Sequence, residues 1–279
     1  MDYITLNNGV KMPQLGFGVY QIPPEDTERS VRTAIEAGYR SIDTAQAYYN
    51  EAEVGKAIAH CGVPREELFI TTKVWITNAG EKRAAASIDE SLQKLDADYI
   101  DLLLIHQPFG DYYGSWRAME AAYKAGKVRA IGVANFMADR FIDLAHFSET
   151  KPAVNQLETH VFQQQKEIAK YHAQFDTKLM SWGPFAEGRN DYFNTPALVE
   201  IGAHHGKSAA QIALRYMFEQ GVILIPKSVH EERIRENIDI FDFALTDDER
   251  AEIAALDTGK SLFFSHHDPE TVSWFMSLV

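Results

Sequence analysis

Short runs of β-forming residues recur eight times along this chain, each divided from the next by a helical pattern. They are LGFGV (15–19), RSIDT (40–44), FITTKV (69–74), DLLLIH (101–106), AIGV (130–133), VNQLE (154–158), KLMSW (178–182) and ILIP (223–226). In most of them the apolar residues run consecutively rather than alternating, as expected of parallel strands covered on both faces. In EDTERSVRTAIEAG (25–38), acids occupy the first turn, Val31, Ala34 and Ile35 share a face, and Gly38 ends the run. Ile88, Leu92 and Leu95 fall at helical spacing over 81–95, and AAQIALRYMFEQG (209–221) is a further helix ending in glycine. Thr246 and Glu249 form a capping box that opens a helix running to Leu256. No Gly-, Pro- or Ser-rich linker interrupts the alternation. The expectation is therefore an α/β chain, a single (β/α)8 TIM barrel forming one domain over 1–279. Ahead of it, YITLNNGVKMP holds an Asn-Gly turn between two extended pieces and reads as an N-terminal β-hairpin outside the barrel.

A net charge of −13 disfavours nucleic acid, whose phosphates reward lysine and arginine, and disfavours anionic membranes. A phosphate-bearing ligand would need a local cationic site. The lone cysteine, Cys61, cannot form an internal disulfide, which fits a reducing compartment and a filler role. No apolar run approaches membrane-spanning length, and MDYITLNNGVKM lacks the apolar core of a signal peptide. The cytoplasm is the expected location.

In a barrel of this kind, function gathers where the strands end. Asp43 ends the second run, Lys73 stands near the end of the third, and His106 ends the fourth. Asn135 lies just past the fifth, Gln156 within the sixth, Trp182 at the seventh and Lys227 just past the eighth. A core needs no aspartate, lysine or histidine. Tyr48 follows Asp43 in the next loop. A phenol with a pKa near ~10 exchanges protons poorly at neutral pH. An ammonium in contact would favour the phenolate and depress that pKa, and an aspartate behind the lysine would keep it charged and oriented. Such a set could move a proton to or from an oxygen while another group supplies electrons. The structural alternative makes Asp43 and Lys73 an ion pair and His106 a core histidine.

Eight stretches resemble the aldo-keto reductase family, in family order and over nearly the whole chain. They are LGFGVYQ, SIDTAQAYYNEAEVGKAI, LFITTKVW, YIDLLLIHQP, IGVANF, VNQLETH, SWGPFAEGR and IPKSVHEERIRENIDIFDF. The ending SLFFSHHDPETVSWF and the tryptophan of SWGP resemble the bacterial branch that includes 2,5-diketogluconate reductases. The resemblance implies NADPH-dependent reduction of aldehydes and ketones to alcohols. It makes Tyr48 the general acid, has Lys73 and Asp43 lower its pKa, and has His106 orient the substrate carbonyl. Tyr49 then has no special role, because Asn50-Glu51 and the spacing from Asp43 select Tyr48.

The same resemblance assigns the cofactor contacts. Asn135 and Gln156 would hold the nicotinamide carboxamide, and the ring of Trp182 would stack on the nicotinamide. Lys227, Ser228 and Arg233 would clamp the adenosine 2′-phosphate, and Asn237 would meet the adenine. Gly18, Val19, Tyr20, Asp43, Gly183, Pro184 and Phe185 complete the groove. Lysine and arginine beside a phosphate form charge-assisted hydrogen bonds, so NADP(H) is expected over NAD(H). The alternative for that segment is a solvated helix end, since Glu231, Glu232 and Glu236 could balance Lys227, Arg233 and Arg235. Gly16 and Gly18 are spaced like the start of a dinucleotide fingerprint, but position 21 is Gln. Two positions depart from the family pattern, Ala134 where serine is usual and Val19 where threonine is common.

Tyr20, Trp75 and His106 are the substrate-binding candidates, with Trp182 at the same mouth and Phe109, Phe263 and Trp274 as further wall residues. Residues 187–196 form a loop that could close over the cofactor. His204-His205 and His266-His267 suggest no metal site, because neighbouring side chains diverge and no third ligand is evident. His230-Glu231 begins like a zinc-protease motif, but position 234 is isoleucine. No nucleophile-elbow serine is present. Two other readings stand beside the reductase: a cofactor-binding regulatory subunit of the same fold, and an aldolase using Lys73 as a Schiff base. The expected partner is a small carbonyl compound, with the protein a monomer.

Overall fold

The computed structural model describes residues 2–279. Strands β1 (Tyr3–Thr5) and β2 (Lys11–Pro13) pair antiparallel with Ile4 opposite Met12, and Gly9 takes the left-handed conformation (φ 85°) that the Asn8-Gly9 turn requires. Eight parallel strands follow: β3 (Phe17–Gly18), β4 (Ser41–Asp43), β5 (Phe69–Val74), β6 (Ile100–Ile105), β7 (Val128–Ala134), β8 (Val154–Glu158), β9 (Lys178–Trp182) and β10 (Ile223–Leu224). Each pairs with its neighbours in sequence order. The ring closes between its first and last members. Leu15 bridges Leu224, the Gly16 N–H donates to the Leu224 carbonyl at 2.7 Å, and the Gly18 N–H donates to the Pro226 carbonyl at 3.2 Å. These two strands are shorter than the runs 15–19 and 223–226 suggested. Pro226 has no N–H to extend the ladder, so the seam continues as single bonds.

Strand alternation sorts the side chains into two cores. On β6, Leu102 and Leu104 point into the barrel, where they meet Ala130, Val154, Met180 and Ile223, while Leu103 and Ile105 face the outer helices. Leu6 and Met12 of the hairpin belong to the inner core together with Phe69 and Val154, the first residues of β5 and β8. The hairpin therefore plugs the end where strands begin, and the opposite end is left for the βα loops.

The outer helices follow from their patterns. Helix Glu81–Leu95 buries Ala84, Ser87, Ile88, Ser91 and Leu95. Pro24–Glu36 buries Val31, Ala34 and Ile35. Ala209–Glu219 and Asp247–Ala254 both start at complete capping boxes, Ser208 with Gln211 and Thr246 with Glu249. No helix among the described residues is long and apolar enough to cross a membrane.

Candidate active site

Asp43 is the last residue of β4 and Lys73 the penultimate residue of β5, so adjacent parallel strands bring both side chains to the same mouth. The Lys73 side chain is 0 % exposed, and the ammonium donates to Asp43 Oδ1 (2.5 Å), the Thr44 carbonyl (2.9 Å) and the Tyr48 hydroxyl (3.3 Å). Gln156, from β8, donates to the other Asp43 oxygen at 3.1 Å. Around the phenol, the Tyr48 and His106 rings meet edge to face at 5.5 Å, Tyr20 lies 5.0 Å from Tyr48, and Trp75 lies 5.0 Å from His106. Asp43, Tyr48, Lys73, His106, Tyr20 and Trp75 thus converge. Tyr49, 82 % exposed, does not enter the group.

Burial pushes the Asp43 carboxyl up and the Lys73 ammonium down, and their mutual contact opposes both shifts. The Tyr48 phenol departs from the sequence expectation. Burial, reinforced by the Asp43 charge and by Tyr20, holds it well above the ordinary tyrosine range instead of depressing it. Desolvation outweighs the ammonium 3.3 Å away. The phenol consequently keeps its proton at neutral pH. Because its oxygen accepts from Lys73, that proton is directed elsewhere.

His106 is held well below the usual imidazole range by burial, then by Lys73 and by His266, so its ring is neutral. Its Nδ1 is buried and has no hydrogen-bond partner among the described residues. A proton on Nδ1 would be an unsatisfied buried donor, which costs about 1–3 kcal/mol. The Nε2–H tautomer is therefore preferred, and it leaves that N–H as the ring's donor.

Local structure fixes the loop that carries Tyr48. Asn50 is fully buried, accepts from the Thr44 hydroxyl at 2.8 Å, and donates to the Val19 and Ile22 carbonyls. Tyr49 turns the chain through the left-handed region between them (φ 56°). Lys73, enclosed and holding three acceptors, has no free approach to a carbonyl carbon, which removes the Schiff-base reading.

Next to His106, Trp182 ends β9 and its Nε1–H donates to Asn135 Oδ1 at 2.8 Å, while Asn135 Nδ2 donates to the His106 carbonyl at 3.0 Å. This ties the indole plane to the backbone of His106. Gly183 adopts φ 62°, the Pro184 carbonyl accepts from the Tyr192 hydroxyl at 2.8 Å, and Phe185 packs on Tyr192. Lys227 follows β10 and Arg233 lies in the first turns of helix Glu231–Ile238. Both are exposed, and among the described residues neither is ion-paired, whereas Arg235 is paired with Glu231 at 2.9 Å. The acids of this helix therefore do not neutralise the two cations. Partial burial holds the Lys227 ammonium below its usual range, with Glu187 opposing. Ser228 is buried and its oxygen accepts from the His230 N–H at 3.1 Å, while Asn237 is buried on the same helix.

Two expectations need correction. Val19 is fully buried, its side chain in the outer core and its N–H on the Asp43 carbonyl, so that side chain lines no groove. Of the tail residues, Trp274 is 57 % exposed, and it is Phe275 that packs against Phe109 (5.4 Å) and Trp75 (6.3 Å). Phe263 does reach the site, 5.1 Å from Trp182.

Sequence reading missed the groups that hold this tail. Glu158, the last residue of β8, is buried and accepts from His160 Nε2 (3.0 Å), the Ser261 hydroxyl (2.5 Å) and the Leu262 N–H (2.8 Å). His266, also buried, meets Gln107 Oε1 at 2.9 Å. The signal for Glu158 was an acid closing the strand run VNQLE, the kind of strand-end position that nominated Asp43. Loop 186–194 carries left-handed Ala186, Glu187, Gly188, Asn190 and Asp191, and Arg189 joins it to the tail by donating to the Leu262 carbonyl at 3.0 Å. A cleft of about 710 Å³ lined by Tyr3, Lys11, Arg40 and Arg129 lies at the hairpin end and holds none of these groups. His205 contacts Glu249, and no group of three or more metal-ligating side chains exists among the described residues.

Residues 12–258 match the family model described as "Aldo/keto reductase family". The chain belongs to the aldo/keto reductase family. It is 45 % identical over 257 residues to a glyoxal reductase of Bacillus subtilis (strain 168), covering 91 % of this chain and 92 % of that one. It is 42 % identical over 262 residues to a methylglyoxal reductase of Escherichia coli (strain K12), covering 93 % and 94 %. Among solved structures it resembles a Bombyx mori aldo-keto reductase in complex with NADP, with a TM-score of 0.89, 34 % identity, and coverage of 98 % of this chain and 96 % of that one. The barrel is thus that of an aldo/keto reductase, a family of oxidoreductases.

Proposed function

We propose that this aldo/keto reductase reduces aldehydes and ketones to alcohols with NADPH, Tyr48 serving as the general acid. The observation that carries the reading is the Lys73 ammonium seated between Asp43 and the Tyr48 hydroxyl. Glyoxal and methylglyoxal reductases among the relatives, and NADP bound to a structural neighbour, support the substrate class and the cofactor.

The residues fit the nucleotide. An indole at the mouth of the barrel offers a flat face, and Lys227 and Arg233, exposed and unpaired among the described residues, follow the last barrel strand and could meet an extra phosphate. Trp182, Asn135 and Gln156 would hold the nicotinamide end, and Lys227, Ser228, Arg233 and Asn237 the adenosine end. When bound, the reduced nicotinamide supplies a hydride. The protein's own part is protonic and electrostatic. His106 Nε2–H donates to the carbonyl oxygen and polarises it. Tyr48 gives its proton to that oxygen as negative charge develops there, forming the O–H bond of the alcohol. The resulting phenolate faces the Lys73 ammonium, so the contact is strongest after proton transfer, where it lowers the barrier. Solvent then returns the proton to Tyr48. Positioned acids of this kind typically contribute about 10²- to 10⁴-fold.

The test follows NADPH absorbance against methylglyoxal, α-keto esters, aldoses and aromatic aldehydes, with wild type and Tyr48→Phe. Wild type should consume NADPH, and the variant should lose at least about 10²-fold in kcat while NADPH binding stays within twofold. Full turnover without the phenol would mean that another group delivers the proton. The lone cysteine fits a reducing, cytoplasmic compartment. Light scattering of the purified protein tests the reading that the chain is a monomer.

A further inference from the structure

We propose that Gln46 is a positioning residue that sets the distance between the Tyr48 phenol and the Lys73 ammonium. This rests on the reductase reading above. Gln46 opens the single 3-10 turn, Gln46–Tyr48, whose last residue is the phenol. Its side-chain amide is fully used. Oε1 accepts from the Trp75 N–H (2.9 Å) and from Asn78 Nδ2 (3.0 Å), while Nε2 donates to the Ser87 carbonyl (3.2 Å) and to Ser91 Oγ (3.1 Å).

Those partners decide the argument. Trp75 lies two residues past Lys73, at the exit of β5, and its indole packs on His106. Ser87 and Ser91 are buried on helix Glu81–Leu95, which packs on the barrel immediately after β5. One side chain therefore couples the turn bearing Tyr48 to the strand bearing Lys73, to the residue walling His106 and to the helix behind them. Asn50 holds the far side of the same loop to Thr44, Val19 and Ile22, so the phenol sits between two polar clamps. Without Gln46 the turn keeps the Asn50 anchor and the Lys73 bonds to Thr44 and Tyr48, but loses its ties to Trp75 and to helix Glu81–Leu95, and can shift relative to Lys73. The phenol–ammonium contact of 3.3 Å has little margin before it ceases to be a hydrogen bond.

A purely structural glutamine would change stability alone. A positioning glutamine changes chemistry with binding intact. The experiment uses the full chain with methylglyoxal and NADPH, comparing wild type, Gln46→Leu and Gln46→Glu. The glutamate variant keeps both acceptor contacts and removes the donors. Expected are a kcat loss of roughly 10- to 100-fold in Gln46→Leu, a smaller loss in Gln46→Glu, and NADPH affinity within twofold in both. The basic limb of the kcat–pH profile should move to higher pH in Gln46→Leu, because a phenol released from the ammonium loses proton less readily. Should the leucine variant not fold, Gln46→Glu and Ser91→Ala carry the same comparison. A kcat within twofold of wild type with an unmoved basic limb overturns the proposal and leaves the reductase reading intact. So does a kcat loss matched by equal loss of NADPH affinity. Wild type that consumes no NADPH with any carbonyl overturns the reductase reading, and this proposal with it.

Discussion

Lys73 carries three N–H donors, and the structure gives each an acceptor: a carboxylate, a backbone carbonyl and a phenol. Removing any one acceptor changes what the ammonium does for the others, so substitutions there mix stability with chemistry. Lys227 and Arg233, the cations proposed to meet the 2′-phosphate, are cleaner probes, because they are exposed and unpaired among the described residues. A charged hydrogen bond to a phosphate is worth about 1.5–3 kcal/mol, roughly 10- to 100-fold in binding. Lys227→Ala or Arg233→Ala should weaken NADPH by about that factor while NADH stays within twofold. Fluorescence titration of both nucleotides measures this. Equal weakening of the two would show that neither side chain reads the 2′-phosphate. Tyr48 shows what sequence could and could not convey at this scale. Its pairing with Lys73 was legible from strand-end chemistry. The direction of its pKa was not, because that sign is set by competition between desolvation and a contact distance.

At the level of strands and helices, the ring is held shut at one weak place. The seam between β3 and β10 consists of a bridge and a few single bonds, and glycine permits its close approach. A Cβ at Gly18 would lie 2.9 Å from the Ile225 carbonyl oxygen. Backbone oxygen cannot rotate away, so Gly18→Ala must push the two strands apart. The cost expected of such overpacking is about 1–3 kcal/mol, read as a lower urea midpoint. An unchanged midpoint would mean that the seam yields freely. All eight barrel strands were legible, because short β-forming runs alternate with helical patterns along the whole chain. The partners of the C-terminal segment were not. Phe275 and Trp274 are neighbours on helix Pro269–Met276, where successive residues diverge by about 100°, and hydrophobicity alone does not tell which faces inward. Glu158 and Ser261 meet across 103 positions, a pairing no local pattern contains.

Taken as a whole, the molecule closes its mouth with a segment whose docking depends on neutral histidine, and this makes its stability a function of pH. His266 packs against the rings of both Phe109 and Phe275, which also touch each other, and meets Gln107. Burial, then Arg140 and His267, depress its pKa from 6.5 to about 4, with Glu158 opposing. His172 packs edge-on to Phe141 and is likewise depressed to about 4 by burial. His106 shifts in the same direction. In the unfolded chain these rings take up protons as pH falls through 6.5, whereas the folded chain refuses them until about pH 4. Unfolding therefore binds protons within that window. Stability contributed by the two rings is complete above about pH 6.5 and is lost progressively towards pH 4, by an amount on the order of 3 kcal/mol for each ring. Urea unfolding at pH 7.5, 5.5 and 4.5 should show the decline. His266→Gln, which preserves a donor towards Gln107 but cannot take the proton, should flatten it relative to wild type, and His172→Asn should do so independently. If both variants decline as steeply as wild type, the acid sensitivity lies with carboxylates, and the tail is not held by the neutrality of its histidine.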